Sequence, residues 1–165
     1  MGLRIGEVCA LQWKEIDLEK RVLTVSKTIQ RGQCRTGSKQ TKLIITEPKS
    51  ESSKRTIPIP DCLLPLLRRF KDNCEVYVVS GRKKPVEPRT MQYRFAKILH
   101  NADLPSFHYH SLRHLFATRC VELGFDVKTL SEILGHSSVE VTLNRYIHSD
   151  MERKRTCMSL LSKCA

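Results

Sequence analysis

Apolar residues recur at helical spacing near both ends of this 165-residue chain, with β-branched stretches between them. The segment "LRIGEVCALQ" puts Ile5, Val8 and Cys9 on one face and predicts a short helix. Residues 21–31, "RVLTVSKTIQR", predict a strand, a polar loop follows at 32–40, and "TKLIITE" and "KRTIPIP" predict two more strands. Asp61 is positioned to cap a helix over 62–70, with Pro65 in its opening turn. "VYVV" at 76–79 reads either as an extra strand or as a buried connection.

The second half is helical. Met91, Phe95, Ile98 and Leu99 form one helix face, and Leu112, Leu115, Phe116 and Leu123 form another that Gly124 should close. Asp126 caps a short helix whose apolar side is Val127, Leu130 and Leu134 and whose end is Gly135. Ser137 and Glu140 have capping-box spacing ahead of a helix that leads to Tyr146. In the tail, Cys157, Leu160, Leu161 and Cys164 make one stripe on a helix so short that it needs a surface to lie against, in its own domain or on a neighbouring subunit. No linker or repeat divides the chain. The fold class is therefore α+β, mainly helical, with a small three-stranded antiparallel sheet.

Charge adds a partner to this picture. The 29 Lys and Arg against 17 Asp and Glu leave a formal net charge of +12. Basic clusters at 27–42, 49–55, 68–71, 82–84 and 152–155 point to a polyanion, with nucleic acid the commonest. The seven cysteines form no C-x-x-C pair, which fits reduced thiols and a cytoplasmic protein. Neither a membrane-spanning run nor a signal peptide is present in the sequence.

Four segments concentrate polar chemistry, and each has an ordinary structural explanation by itself. In "GLRIGE", Arg4 could pair with Glu7 on its own helix; Lys49 in "EPKSESSKR" could decorate a turn. His110 and Arg113 in "HYHSLRH" could open a helix, and His136 could follow a helix end. His108, His110 and His114 could suggest a metal, but no acidic ligand stands at a matching interval and the nearby Arg113 would repel a divalent cation. Neither metal nor cofactor is expected.

Taken together and in order, "GLRIGE", "EPKSESSKRTIPI", "HSLRHLFAT" and "LGHSSVEVTLNRY" resemble the boxes of the tyrosine recombinase (phage integrase) family from residue 2 to residue 148. The resemblance implies the catalytic-domain fold of that family over 1–150, N-terminally truncated and lacking the core-binding domain of its relatives, with 151–165 as a helical docking tail. It implies that Arg4 and Arg113 clamp a phosphate, that Lys49 is the general acid, that His110 and His136 support them, and that Tyr146 is the nucleophile. Glu7 would buttress the clamp, and Lys54, Arg55 and Arg145 would contact DNA. Spacing by itself could not select Tyr146 over Tyr77, Tyr93 or Tyr109.

Those residue types suit the implied reaction. Two guanidiniums can fork onto the non-bridging oxygens of a phosphorane, and no metal is then required. A phenol with a pKa of about 10 loses its proton more easily among Arg and His charges. The implied activity is site-specific cleavage and rejoining of double-stranded DNA through a 3′-phosphotyrosine, independent of ATP. Full-length relatives act as tetramers on DNA, whereas a monomer or weak dimer is expected of this segment. A non-catalytic DNA-binding relative, a type IB topoisomerase-like enzyme and a telomere-resolving enzyme stay open as alternatives.

Overall fold

The structure is a computed structural model, and it describes residues 1–33, 41–47, 53–146 and, in the tail, 151, 154, 155, 158 and 159. Lys49, most of the 32–40 loop, and the tail stripe of Cys157, Leu160, Leu161 and Cys164 lie outside the described residues; Arg145 and Tyr146 are described only as helical backbone. Helix α1 (Ile5–Ala10) opens where Glu7 accepts the backbone N–H of Arg4 at 2.9 Å, which satisfies an orphan donor at its N-terminus.

The strand expected over 21–31 is two strands. β2 (Val22–Val25) and β3 (Thr28–Gln33) are separated at Ser26 and Lys27 and join different sheets. β2 lies between the short β1 (Ile16–Asp17) and β5 (Arg55–Pro58), all antiparallel, with Leu23 opposite both Ile16 and Ile57. β3 instead pairs with β4 (Thr41–Thr46), Thr28 facing Thr46. Two contacts accompany the break. At the break the Ser26 hydroxyl donates to Glu15, while the backbone on its two sides pairs with different strands. β3 also passes under α1 at Gly6, where an added Cβ would stand 2.6 Å from the Ile29 carbonyl oxygen. The three-stranded sheet exists, but the two-residue β1 occupies the place expected for residues 41–47.

Leu11, Leu18, Leu23, Val25, Ile57, Ile59 and Leu64 form the core between this sheet and α2 (Leu64–Arg69). Asp61 does not cap α2: a 3-10 turn over Asp61–Leu63 comes first, and Asp61 pairs with Arg21 at 3.0 Å. The "VYVV" run is a buried connection in which Tyr77 makes single bridges to Gln12 and Arg82.

Helix α3 (Pro88–Asn101) buries Leu99 and sets Met91 against Cys9 and Ala10, while Ile98 is exposed. Helix α4 (His110–Glu122) keeps only Phe116 of the expected face against the core. It buries Arg113, Ala117, Cys120 and Val121 at i, i+4, i+7 and i+8, and leaves Leu112, Leu115 and Leu123 exposed. The small Ala117 and Cys120 pack directly on Leu130 and Leu134 of α5 (Val127–Leu134), and Arg113 goes inward with them.

Asp126 caps α5 by accepting from Thr129 N–H at 2.9 Å, and Gly135 ends it at φ 65°. Helix α6 (Val139–Tyr146) opens one residue later than a cap at Ser137 implies. None of the described helices is long and apolar enough to cross a membrane.

Gly135 is constrained twice, by its positive φ and by Arg55, whose Nη1 would stand 2.7 Å from an added Cβ. Gly124 has φ 81° with nothing within 4 Å of an added Cβ. Gly124→Ala should therefore cost about 1–2 kcal/mol, the left-handed backbone penalty, and Gly135→Ala clearly more. Urea unfolding of both variants measures the difference; equal losses would show that Arg55 is not pressed against this turn.

Candidate active site

The end of α5 gathers the site. His136 N–H returns to the Ser131 carbonyl at 3.1 Å and Gly135 N–H to Glu132 at 3.0 Å, the paired bonds of a left-handed helix end. The next three carbonyls are each taken by an arginine from a different part of the chain. Arg55 Nε donates to Ile133 at 2.6 Å, Arg113 Nη2 to Leu134 at 2.7 Å, and Arg4 Nη2 to Gly135 at 2.8 Å. A helix C-terminus carries partial negative charge and exposed acceptors, so cations belong there. Arg113 also donates through Nη1 to the Gly2 carbonyl at 2.7 Å, which fastens α4 to the approach to α1.

Glu7 joins two of these arginines. Oε1 accepts from Arg4 Nη1 at 2.8 Å and Arg55 Nη1 at 3.1 Å; Oε2 accepts from the Arg4 backbone and from Arg55 Nη2, both at 2.9 Å. The Glu7 and Arg55 side chains are 4% and 6% exposed, whereas that of Arg4 is 39% exposed. Burial by itself would push the Glu7 carboxyl up. The hydrogen bonds and charge of Arg55, then the hydrogen bonds of Arg4, outweigh it and hold Glu7 below the ordinary carboxylate range.

The expected residues can now be placed. Arg4, Glu7, Arg113 and His136 converge on one helix end. His110 starts α4, one turn before Arg113. Lys54 is at the surface and pairs with Glu47 at 2.6 Å. Arg55, expected to touch DNA, is instead buried behind Arg4, because Glu7 and the Ile133 carbonyl draw it inward. Lys49 lies outside the described residues, and Tyr146 closes α6 as backbone.

Sequence reasoning missed Thr142. It is fully buried on α6 and its hydroxyl lies 2.7 Å from His136 Nδ1, so it fixes the imidazole ring. The neighbouring Val139, Val141 and Leu143 are all more exposed, so apolar periodicity hid the buried polar position. A cleft of about 310 Å³ beside His136 is lined by Lys54, Lys128, Ser137 and Ser138, groups suited to an anion, and by the Glu132 carboxylate. Among the described residues no cluster of three or more His, Cys, Asp or Glu could hold a metal ion.

Comparison with known proteins identifies the family and the fold. The model of the phage integrase family matches residues 1–153. The chain is 32% identical to a XerC-like tyrosine recombinase of Caldanaerobacter subterraneus, over 98% of this chain and 46% of that protein. It is 34% identical to the tyrosine recombinase XerA of Pyrococcus furiosus, over 86% of this chain and 44% of that protein. The chain thus spans under half the length of these curated relatives. The Tn1549 transposon integrase, solved with circular intermediate DNA, superposes with a TM-score of 0.74 at 30% identity, covering 97% of this chain and 56% of that one.

The Glu7 network should dominate acid stability. Its carboxyl titrates lower in the folded chain than the unfolded value of about 4.3, so its stabilisation is complete above that pH and is lost as pH falls through the folded value. Glu7→Gln leaves Arg55 buried without a counter-charge and should cost about 3 kcal/mol at pH 7. Denaturant midpoints between pH 7 and pH 3 should also fall less steeply in that variant; a slope equal to the wild type would contradict the assignment.

Proposed function

Since this chain belongs to the phage integrase family, we propose that it cuts and rejoins double-stranded DNA at specific sites through a covalent phosphotyrosine. The observation that supports this most is the meeting of Arg4, Arg113 and His136 at the end of α5, beside the helix that ends at Tyr146. The Tn1549 integrase, solved on DNA, shares the fold.

In this reading a DNA phosphate approaches Arg4, the most open of the three converging arginines, with Arg113 on the adjacent carbonyl behind it. As the Tyr146 phenolic oxygen attacks phosphorus, its proton passes to a neutral imidazole of the site or to water, and the bond to the 5′-oxygen breaks. His136, held by Thr142, stands beside the arginines to stabilise the added negative charge. Lys49 gives a proton to the departing 5′-oxygen. The 3′-phosphotyrosine keeps one ester bond in place of another, so a 5′-hydroxyl from a second strand can reverse the step without ATP. Arg145 and Lys54 extend the positive surface along the DNA. Residues 151–165 dock on a neighbouring subunit, in a ring of four formed on DNA by the whole protein. The reaction takes place where the DNA is, in the cytoplasm.

A pool of nicked duplexes with randomised sequence, incubated with the full-length protein and recovered under denaturing conditions, tests the reading. Wild type should retain DNA covalently, with and without EDTA, and Tyr146→Phe should retain none. Arg4→Ala and Arg113→Ala should each lower adduct formation by about a hundredfold or more. Equal adduct from Tyr146→Phe would place the nucleophile elsewhere, and loss of adduct with EDTA would indicate a metal-dependent enzyme.

A further inference from the structure

We propose that Arg55 is a positioning residue for DNA cleavage: by sharing the carboxylate of Glu7, it leaves Arg4 with positive charge to spend on a phosphate and fixes where that charge sits. The inference rests on the function proposed above.

Each Glu7 oxygen accepts one bond from Arg4 and one from Arg55. Two guanidiniums thus surround one carboxylate, and one positive charge remains uncompensated. Arg55 is buried and Arg4 is partly open, so the surplus faces solvent at Arg4. With Arg55 absent, Glu7 and Arg4 would form a closed neutral pair, and an incoming phosphate would compete with a carboxylate for the same guanidinium. Such competition is strong where water is scarce.

Arg55 has a second connection. It begins β5, just after the segment that carries Lys49, and its Nη1 donates to the Ser53 carbonyl at 3.1 Å. The same guanidinium reaches Ile133 at the end of α5. One side chain therefore ties three places together: the start of β5, the Glu7 carboxylate on α1 and the turn before His136. Lysine could not replace it, because an ammonium is a point charge without the fork that reaches both carboxylate oxygens while Nε holds a carbonyl.

A purely structural role for Arg55 makes a different prediction from charge sharing. If Arg55 only holds the fold, deleting its partner's charge as well should not restore cleavage. If it offsets Glu7, then Glu7→Gln should return positive charge to Arg4 in an Arg55→Met background. Because removing both members of a buried pair also spares the cost of a stranded charge and so restores stability, rates are compared well below the melting temperature of every variant, where all are folded.

The test uses the full-length protein and a nicked duplex recovered from the randomised pool. Single-turnover adduct formation is measured at saturating protein, beside the dissociation constant for DNA and the melting curve. Arg55→Met should form adduct about 100-fold more slowly, and Arg55→Lys about 10-fold more slowly with DNA affinity little changed, as for residues that orient a reacting group. The Glu7→Gln, Arg55→Met double variant should be faster than Arg55→Met. A double variant no faster than the single one, or Arg55→Lys within twofold of wild type, overturns the inference. Should Arg55→Met fail to fold, the Arg55→Lys rate decides. No adduct from wild type would overturn the proposed function, and this inference with it; adduct from wild type with unchanged Arg55 variants would overturn the inference alone.

Discussion

One carboxylate shared by two guanidiniums is the contact on which this site depends. Glu7 is almost fully buried, and a charge so placed is tolerable only if paired and fully hydrogen-bonded. Its four donors meet that condition. The constraint works in both directions: Glu7 keeps two arginines close together, and the end of α5 accepts three, because successive carbonyls at a helix C-terminus offer both acceptors and negative potential. Like charges that would repel in isolation are thereby assembled before any DNA arrives.

Local backbone chemistry makes that assembly possible. Gly135 takes the left-handed conformation that ends α5, and it leaves room for Arg55. The turn satisfies Ser131 and Glu132 internally and leaves Ile133, Leu134 and Gly135 for side chains. His136 follows at once, so the turn that collects the arginines also places the imidazole, which Thr142 then secures to α6. Helix, turn and histidine form one unit only a few residues long.

Much of this was legible in the sequence, for identifiable reasons. The cap at Asp126 and the stop at Gly135 rest on short-range chemistry and stand as expected. The ordered boxes pointed to Arg4, Arg113 and His136, and these meet in the structure. Long-range choices were less legible. Leucines at helical spacing suggested the wrong face of α4, because its inner side is given to Arg113 and to small residues that permit close packing. The 21–31 segment has strand propensity throughout, yet it divides between two sheets, with Ser26 bonded to Glu15 at the break and β3 running close beneath Gly6 of α1. Arg55 looked like a surface cation because nothing local to "SSKRT" reveals a partner 48 residues away.

The most direct test of the arrangement is a crystal structure of the full-length Tyr146→Phe protein on uncut DNA recovered by the wild type. The geometry predicts a phosphate oxygen within hydrogen-bond distance of the Arg4 guanidinium, with Glu7 still bonded to both Arg4 and Arg55 and position 146 facing that phosphorus. A DNA backbone that passes over another surface and leaves Arg4 in contact only with Glu7 and Gly135 would contradict it.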